Sequence, residues 1–416
     1  MCEMLGPSVG LFEDVSGPNY TSSLSQTALD PLQDQVDKIL RDLQQYISIL
    51  ENPSARSTQS KSTALEQASQ VVNGHSIRLG INAYFRYVYP NCPFVHQPSF
   101  DPGSASSTLL LSMFAAGHAV LQDKTCTPSS ELMDLIEDYV FNDPTLNIPV
   151  RGHIPTIIQA MQAATIAIQM RAATGDPRIQ QRTRDCRFPR LMNALRSYQT
   201  LSLKNTTIRD FQTTPFDWQL FIQTECLIRI TFAAYMLDAH FTIFFRAPAR
   251  ATIQEMAGDL PCADALFMAD TSQSCQTMLE STESVVLQPP SLASLVRTFM
   301  DTSFDPQDRD LQGLTVRHLF LLILGFHAVI FSAQRTCIMV HVSHAVERAL
   351  ERWEMLWNTV SNNDNNQLAS IGLMKFAPQF CVLAKMMLDP GIESGSLSRV
   401  NVWTKDYVHD FMRKAK

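Results

Sequence analysis

The sequence has few of the features that build β-sheets. Its 416 residues include only 15 glycines, and alternating runs of β-branched residues are rare. Strands joined by tight turns need both features, so a sheet protein is disfavoured. Hydrophobic residues, 45% of the chain, recur instead at helical spacings over most of its length. The sequence therefore predicts an all-α fold, a large multi-helix domain.

Paired cysteines and a secretion signal are also lacking. The nine cysteines are scattered, and no two have the C-x-x-C spacing of a zinc ribbon or suggest a disulfide framework. Scattered cysteines in a long chain are typical of a reducing compartment. The N-terminal stretch MCEMLGPSVGLFEDVSG has no basic segment followed by an apolar one, as a signal peptide would have. We therefore expect an intracellular protein.

Several motifs for catalysis and cofactor binding are absent. The sequence contains neither G-x-G-x-x-G, nor G-x-x-x-x-G-K-[ST], nor H-E-x-x-H. The nearest approach to a metal site is CIMVHVSH, which gives Cys337, His341 and His344 the spacing i, i+4 and i+7. Because this segment is apolar, we interpret the three as core or surface residues, and His96 and His118 as hydrogen-bonded core histidines. We predict no catalytic, cofactor or metal site.

An excess of basic residues is missing too. The chain has 33 Lys and Arg against 40 Asp and Glu, a net charge of −7. Because neutralisation of phosphates supplies most non-specific affinity for DNA, this balance argues against autonomous nucleic-acid binding. The one arginine-rich run, residues 175–190, is interrupted by Asp176 and Asp185. We interpret that run as a solvated loop between helices.

Two long apolar stretches lie at residues 224–249 and 319–333. A membrane span needs about 18 or more apolar residues without charges. The first stretch contains Arg229, Asp238 and His240, and the second is short and contains His327. We therefore predict that both are buried core helices and that the protein has no membrane partner.

The first stretch keeps charged residues at informative spacings. Glu225 and Arg229 are i, i+4 neighbours on a helix, with the acidic residue first, which is the favourable order. Asp238 follows Arg229 by nine residues and so lies on the opposite side of the helix. We predict structural ion pairing for all three, with Arg246 or Arg250 as the partner of Asp238 if the chain folds back at Pro248.

The composition divides the chain into five segments. Residues 1–30 are rich in Ser, Thr, Gly and Pro and are predicted to be disordered. Residues 31–52 are predicted to form an amphipathic helix, and 53–76 a polar linker. Residues 77–390 are predicted to form the multi-helix domain, and 391–416 a C-terminal tail.

The predicted helix at 31–52 carries an apolar stripe. Its spacings of four and three follow an a/d pattern, over a length of fewer than three heptads. A plain amphipathic helix and a coiled coil that makes a homodimer are both consistent with it. The stripe consists of Leu32, Val36, Ile39, Leu43, Tyr46 and Leu50.

Four stretches of the sequence follow one another in a characteristic order: AYFRYVYPNCPFVHQPSF (83–100), the segment 225–269, ALERWEMLWNTV (349–360) and SIGLMKFAPQFCVLAKMML (370–388). Together they resemble the regulatory domain of fungal-specific transcription factors, the middle homology region. The last two resemble the subgroup whose regulators carry zinc fingers with paired cysteines and histidines. Three positions depart from the family pattern: Ala247-Pro248 replaces a proline pair, Phe267 a common Trp, and Cys381 an aromatic residue.

The resemblance implies transcriptional regulation in the nucleus, often of a metabolic or secondary-metabolite gene cluster, and allows a small-molecule effector. Family members carry a zinc cluster or zinc fingers before this domain, whereas only Cys2 precedes Cys92 here. We therefore expect the chain to act through a DNA-binding partner, through a homodimer, or with a DNA-binding exon that is missing from the sequence. The alternative is a cluster enzyme or a small-molecule-binding protein on the same scaffold. We predict that it is not an enzyme.

Overall fold

A computed structural model of the chain describes residues 32–49, 55–121, 127–146, 153–282, 290–363 and 372–388. Every regular element within these ranges is a helix, and no strand is formed there. The predicted all-α fold is therefore confirmed. The segments predicted as disordered (1–30) and as a C-terminal tail (391–416) lie outside the described residues.

The chain forms two compact units. The first unit contains Met1–Tyr89 and Phe100–Thr183, and the second contains Pro90–Ser99 and Arg184–Lys416. The predicted domain at 77–390 thus contributes to both units. Local periodicity identifies helices but does not show which helices pack together, so this division was not visible in the sequence.

The first unit is built around two helices that are buried nearly all round, α4 and α6. Their apolar residues are spread over all faces, as expected of helices surrounded by other helices. Prolines near the start of α6 and α7 have the fixed φ that suits a first helical turn. The helices are α1 (Gln33–Ile49), α2 (Ala55–Val71), α3 (Gly74–Ala83), α4 (Ser107–Leu121), α5 (Ser130–Phe141), α6 (Ile154–Ala172) and α7 (Pro177–Arg182).

Helix α1 places its apolar stripe inside the first unit. Val36, Ile39 and Leu43 are at most 3% exposed. The Asp42 carboxylate accepts a hydrogen bond from Ser107 Oγ at 2.7 Å, which fixes α1 to the start of α4. This burial fits the interpretation of residues 31–52 as a plain amphipathic helix, and a homodimer through them stays a prediction.

Helix α2 lies in the segment that the sequence predicted as a linker, and that prediction is wrong. Ala64, Ala68 and Val72 follow one another at spacings of four and are at most 2% exposed. Helix α2 packs on α5 and on α1. Alanine contributes little apolar surface, so a helix whose buried face is made of alanines has the composition of a polar linker.

Helices α3 and α4 cross where two glycines meet. A Cβ placed on Gly117 would lie 1.9 Å from the carbonyl oxygen of Gly80, so the two backbones are in direct contact. We expect Gly117→Ala to lower the free energy of unfolding by about 1–3 kcal/mol, because the helices must move apart. Gly175→Ala is the matched control, since a Cβ there has no neighbour within 4 Å. Equal urea midpoints for the two variants would contradict this close packing.

The second unit is built around two long apolar helices, α10 and α14. Both are long and apolar enough to cross a membrane, yet 78% of each apolar window is buried inside the protein, so they are core helices. Asp217 caps the start of α10 by accepting a hydrogen bond from the Leu220 amide. The helices are α8 (Phe188–Ser197), α9 (Thr206–Arg209), α10 (Trp218–Phe245), α11 (Asp264–Phe267), α12 (Ser272–Ser281), α13 (Leu292–Met300), α14 (Val316–Arg335), α15 (Met339–Asn363) and α16 (Ala377–Leu388).

Short 3-10 and π segments connect many of these helices. The 3-10 segments are Tyr89–Asn91, Gln97–Ser99, Pro144–Leu146, Thr200–Ser202, Ile253–Glu255, Arg309–Leu311 and Gly372–Phe376, and the π segments are Tyr84–Val88 and Thr183–Arg187.

Candidate functional site

Arg229 is the centre of the most extensive buried charge network in the described residues of the second unit. It lies on α10, one turn after Glu225, and the two side chains are 2% and 1% exposed. Arg229 Nε donates to Glu225 Oε1 at 2.7 Å. The helical spacing brings the two groups to one face, as the sequence indicated.

The loop before α11 closes over this pair. The Cys262 amide donates to Glu225 Oε1 at 2.9 Å, and the Cys262 carbonyl accepts from Arg229 Nη2 at 2.6 Å. Arg229 Nη1 donates to Asp264 Oδ1 at 2.8 Å. The Arg229 guanidinium therefore binds the Glu225 carboxylate on its own helix. It also binds the Cys262 carbonyl and the Asp264 carboxylate, which lie more than 30 residues later in the chain.

A third segment reaches the same guanidinium. Arg229 Nη1 also donates to the Pro93 carbonyl at 3.2 Å, and its Cζ lies 4.1 Å from the centre of the Phe267 ring. Only arginine offers several donors in one plane together with a flat cation that stacks on an aromatic ring. We call Pro93, Glu225, Arg229, Cys262, Asp264, Phe267 and Arg317 the charged centre.

Helix α14 joins the charged centre from the other side. Arg317 Nη2 donates to Asp264 Oδ2 at 2.7 Å. The next residue, His318, donates from Nε2 to the Pro261 carbonyl at 2.8 Å, and its Nδ1 accepts from the Thr315 amide at 3.1 Å. Burial lowers the pKa of His318 to about 4, so the ring is neutral at physiological pH.

The charges of this centre hold the chain together and are poorly suited to catalysis. Burial alone would lower the pKa of Arg229, but Asp264 and Glu225 raise it well above its ordinary value, so the guanidinium stays charged. Burial raises the pKa of the Cys92 thiol to about 11 and that of Cys226 to about 12. Protonated thiols are weak nucleophiles. The arrangement is that of a structural joint.

Asp238 is separate from the charged centre, and its partner differs from the predicted one. Its carboxylate accepts hydrogen bonds from two main-chain amides, that of Arg250 at 3.0 and 2.8 Å and that of Ala251 at 2.7 Å. We expected a guanidinium group instead. The chain does turn back near Pro248, but the turn presents its amides to Asp238, while Arg246 turns to Gln334 on α14.

The CIMVHVSH cluster does not form the predicted helical face. Cys337 has a left-handed backbone conformation (φ 59°) and precedes α15, which starts at Met339. His344 is 84% exposed, and its Nδ1 lies 3.2 Å from Glu347 Oε2. Over the described ranges, no group of three or more His, Cys, Asp or Glu side chains is placed to hold a metal ion.

His96 and His118 are buried and hydrogen-bonded in different units. In the second unit, His96 Nδ1 lies 2.7 Å from Ser99 Oγ, and Nε2 lies 3.2 Å from the Ala269 carbonyl. In the first unit, His118 Nε2 donates to the Ser76 carbonyl at 2.9 Å. Both have the surroundings of core histidines.

A second ion cluster, in the first unit, was missed by sequence reasoning. Glu137 is 1% exposed and accepts from Arg171 Nε at 2.8 Å and from Arg182 Nη2 at 2.6 Å. Arg182 also reaches Asp134 at 2.8 Å. Arg182 belongs to the arginine-rich run, so part of that run anchors α7 to α5 and is not a solvated loop. The partners are more than 30 residues apart, and no local spacing reveals them.

The chain is similar in sequence to known fungal proteins. The sequence profile of the fungal specific transcription factor domain matches residues 81–353, which contain the whole charged centre. The chain is 25% identical to transcription factor verF of Penicillium polonicum, over 92% of this chain and 56% of verF. It is 21% identical to zinc finger protein klf1 of Schizosaccharomyces pombe, over 70% of this chain and 36% of klf1. The chain thus spans about half or less of these relatives, and no solved structure matches it.

Proposed function

Because the chain belongs to the fungal-specific transcription factor domain family, we propose that it is a transcriptional regulator acting in the nucleus. The family match over residues 81–353 carries this proposal. The names of the two relatives, a transcription factor and a zinc finger protein, support it and favour regulation over catalysis. In this proposal the helical domain exerts control, and the charged centre keeps that domain folded.

Contact with DNA is assigned to another part of the regulator. The chain has a net charge of −7, and its arginine-rich run is partly engaged in ion pairs with Asp134 and Glu137. Such a surface supplies little of the phosphate attraction on which DNA binding depends. We therefore propose that a DNA-binding partner protein, or a DNA-binding segment outside this sequence, brings the domain to its promoters.

The resemblance to this family suggests a metabolic or secondary-metabolite gene cluster as the target. Transcript profiling of a strain that lacks the gene tests the proposal. We expect a coordinated change in a set of neighbouring biosynthetic genes. If every transcript level is unchanged under conditions in which the protein is made, the regulatory proposal fails.

A fusion experiment separates control of transcription from contact with DNA. We expect the full chain, fused to an unrelated DNA-binding domain, to change the output of a reporter that carries the matching site. The unfused chain should leave this reporter unchanged. An inert fusion that is nevertheless folded and nuclear would contradict a regulatory role of the helical domain.

A further inference from the structure

Three aromatic side chains of the second unit lie together, just before α10 and at its first residue. The ring centres of Phe211 and Phe216 are 5.7 Å apart, and those of Phe216 and Trp218 are 6.3 Å apart. All three side chains are half-buried, so each keeps part of its surface in solvent. We call Phe211, Phe216 and Trp218 the aromatic surface.

The aromatic surface rests on buried residues. The Trp218 ring stacks on the ring of Phe221, which is buried, with centres 5.8 Å apart. It also meets the buried His96 ring edge-on, with centres 5.7 Å apart. Burial lowers the pKa of His96, so this ring is neutral at physiological pH. Because the rings are already held in place, binding of a partner would cost little conformational entropy on this side.

The loop before α10 is folded back on itself. The Asp210 carbonyl accepts hydrogen bonds from the amides of Thr213 and Thr214, both at 2.9 Å, and from their hydroxyl groups, both at 3.0 Å. At the other end of the loop, the Asp217 carboxylate accepts from the Leu220 amide at 2.9 Å. Both ends of the loop are therefore fixed, and its rings are presented in a defined arrangement.

The rim of the aromatic surface is acidic. Asp210 and Asp217 lie beside its rings in the chain, and Asp270 follows Ala269, whose carbonyl lies 3.2 Å from His96 Nε2. All three aspartates are exposed. None of them forms an ion pair with another described residue. The surface therefore offers apolar contact together with negative charge that the described chain does not neutralise.

A partner for this surface must bring apolar side chains and positive charge. Arg209, the basic residue closest to it in the chain, already pairs with Asp259, with Nε 3.1 Å from Oδ2. A second copy of the same surface would bring its own aspartates, and like charges across an interface repel. Charge complementarity therefore favours a segment of another protein that carries Lys or Arg beside its apolar residues.

An α-helix is the form of such a segment that fits. Extended peptides commonly bind by adding a strand to a sheet edge, and the described part of the second unit has no strand. A helix rises about 5.4 Å per turn, close to the 5.7 and 6.3 Å between neighbouring rings. Apolar side chains at i, i+3 or i+4, and i+7 of one helix therefore have the spacing of the rings.

We propose that the aromatic surface binds an amphipathic helix of another protein, with apolar residues on one face and lysine or arginine at its edges. Aromatic side chains are enriched in the cores of protein interfaces, where they bury a large apolar area. The aspartates on the rim speed the association with a basic helix and exclude an acidic one. The proposal goes beyond the regulatory function, because it concerns binding to the isolated chain and needs no DNA.

Selection from a phage library of random peptides of about 18 residues, five helical turns, tests the proposal with the purified full chain as the target. Peptides that also bind Phe211→Ser are removed. We expect the remaining peptides to combine apolar residues at helical spacing with a net positive charge. Acidic peptides, or peptides without that spacing, would overturn the assignment of the partner. If no peptide prefers the wild type, the surface is not a binding site.

The affinity of the best selected peptide then measures the apolar contribution. Phe211→Ser should weaken binding about 10-fold or more, as for a residue at the centre of an interface. Val340→Ser is its control, because it also shortens an exposed apolar side chain of the second unit, 80% exposed, and should leave the affinity unchanged. Equal affinities in the two variants would place the peptide elsewhere on the protein.

The rim charges are tested by a double variant, Asp210→Asn with Asp270→Asn. We expect it to weaken binding about 3-fold to 10-fold, and less at high salt, because exposed charges are screened. Asp305→Asn with Asp310→Asn makes the same charge change at two other exposed aspartates of the second unit and is the matched control. Equal affinities in the two double variants would contradict a role of the acidic rim.

Two measurements without peptide complete the test. If Phe211→Ser unfolds at a lower temperature than wild type, the double variant of Asp210 and Asp270 decides, because it changes only exposed carboxylates. Sedimentation of the wild type over a range of concentrations should show no dimer that depends on Phe211. Such a dimer would show that a second copy occupies the surface, and would overturn the proposal.

Discussion

Arg229→Met is expected to lower the free energy of unfolding of the second unit by about 3–5 kcal/mol. Methionine fills much of the volume but leaves the 1%-exposed Glu225 carboxylate without a cation. The carbonyls of Pro93 and Cys262 lose their donor as well. A buried charge without a partner is among the most costly defects in a protein interior, so this variant should have the lowest urea midpoint of the charged-centre variants.

Two further variants separate the parts of this effect. Adding Glu225→Gln to Arg229→Met should recover part of the loss, because the buried carboxylate that lost its cation is then replaced by a neutral amide. Arg317→Met should cost about 1 kcal/mol at most, since Asp264 is 45% exposed and keeps Arg229. A loss in Arg229→Met no larger than that in Arg317→Met would contradict the central role of Arg229. A fully stable Arg229→Met that no longer regulates would make the charged centre a functional site.

The charged centre shows which contacts a sequence can reveal. Glu225 and Arg229 share one helix, so the helical period alone brings them together. Asp264 and Pro93 lie 35 and 136 residues away along the chain from Arg229. Their convergence depends on how helices pack, and one sequence carries no local signal for that. The family resemblance marked the same stretches as characteristic but gave no contacts between them.

Helix boundaries were predictable where a long apolar segment lies between polar ones. The sequence predicts helices at 106–121, 154–173 and 217–245, and α4, α6 and α10 agree with these bounds to within one residue at each end. It also predicts one helix at 262–285, whose described part is instead α11 and α12, because the chain leaves the helical path between Phe267 and Ser272. Apolar spacing is judged over a longer window than this short break, so the pattern does not reveal that the helix is interrupted.

Asp238 shows a different limit of prediction from sequence. The sequence indicated that this buried carboxylate needs a partner near Pro248, and the structure places the partner there. The partner is backbone, the amides of Arg250 and Ala251, because the turn directs its N–H groups inward. Side-chain identities say nothing about the direction of amides, so a guanidinium was the natural but incorrect choice.

Removing this carboxylate should destabilise the turn. In Asp238→Ala, the amides of Arg250 and Ala251 lose their acceptor; Ala251 is 2% exposed. A buried donor without a partner costs about 1–3 kcal/mol, so we expect a loss of about 2–6 kcal/mol for the two. Asp238→Asn is the matched control. Its single carbonyl oxygen can replace Oδ2, which accepts from both amides, at 2.8 and 2.7 Å. Equal losses in the two variants would show that these amide bonds contribute little.

The free energies of unfolding of wild type and Asp238→Asn should depend differently on pH. Burial raises the pKa of Asp238 to about 6, although the Ala251 and Arg250 amides favour its charged form. Between the unfolded pKa, near 4, and 6, the folded state holds more protons than the unfolded state, so stability falls as the pH rises. Two pKa units correspond to about 3 kcal/mol. Wild type should therefore lose about 2 kcal/mol of this relative to Asp238→Asn between pH 4 and pH 7 in urea unfolding, because the loss begins below pH 4. If it gains instead, the amides outweigh burial, and the folded protein holds Asp238 as a stabilised carboxylate.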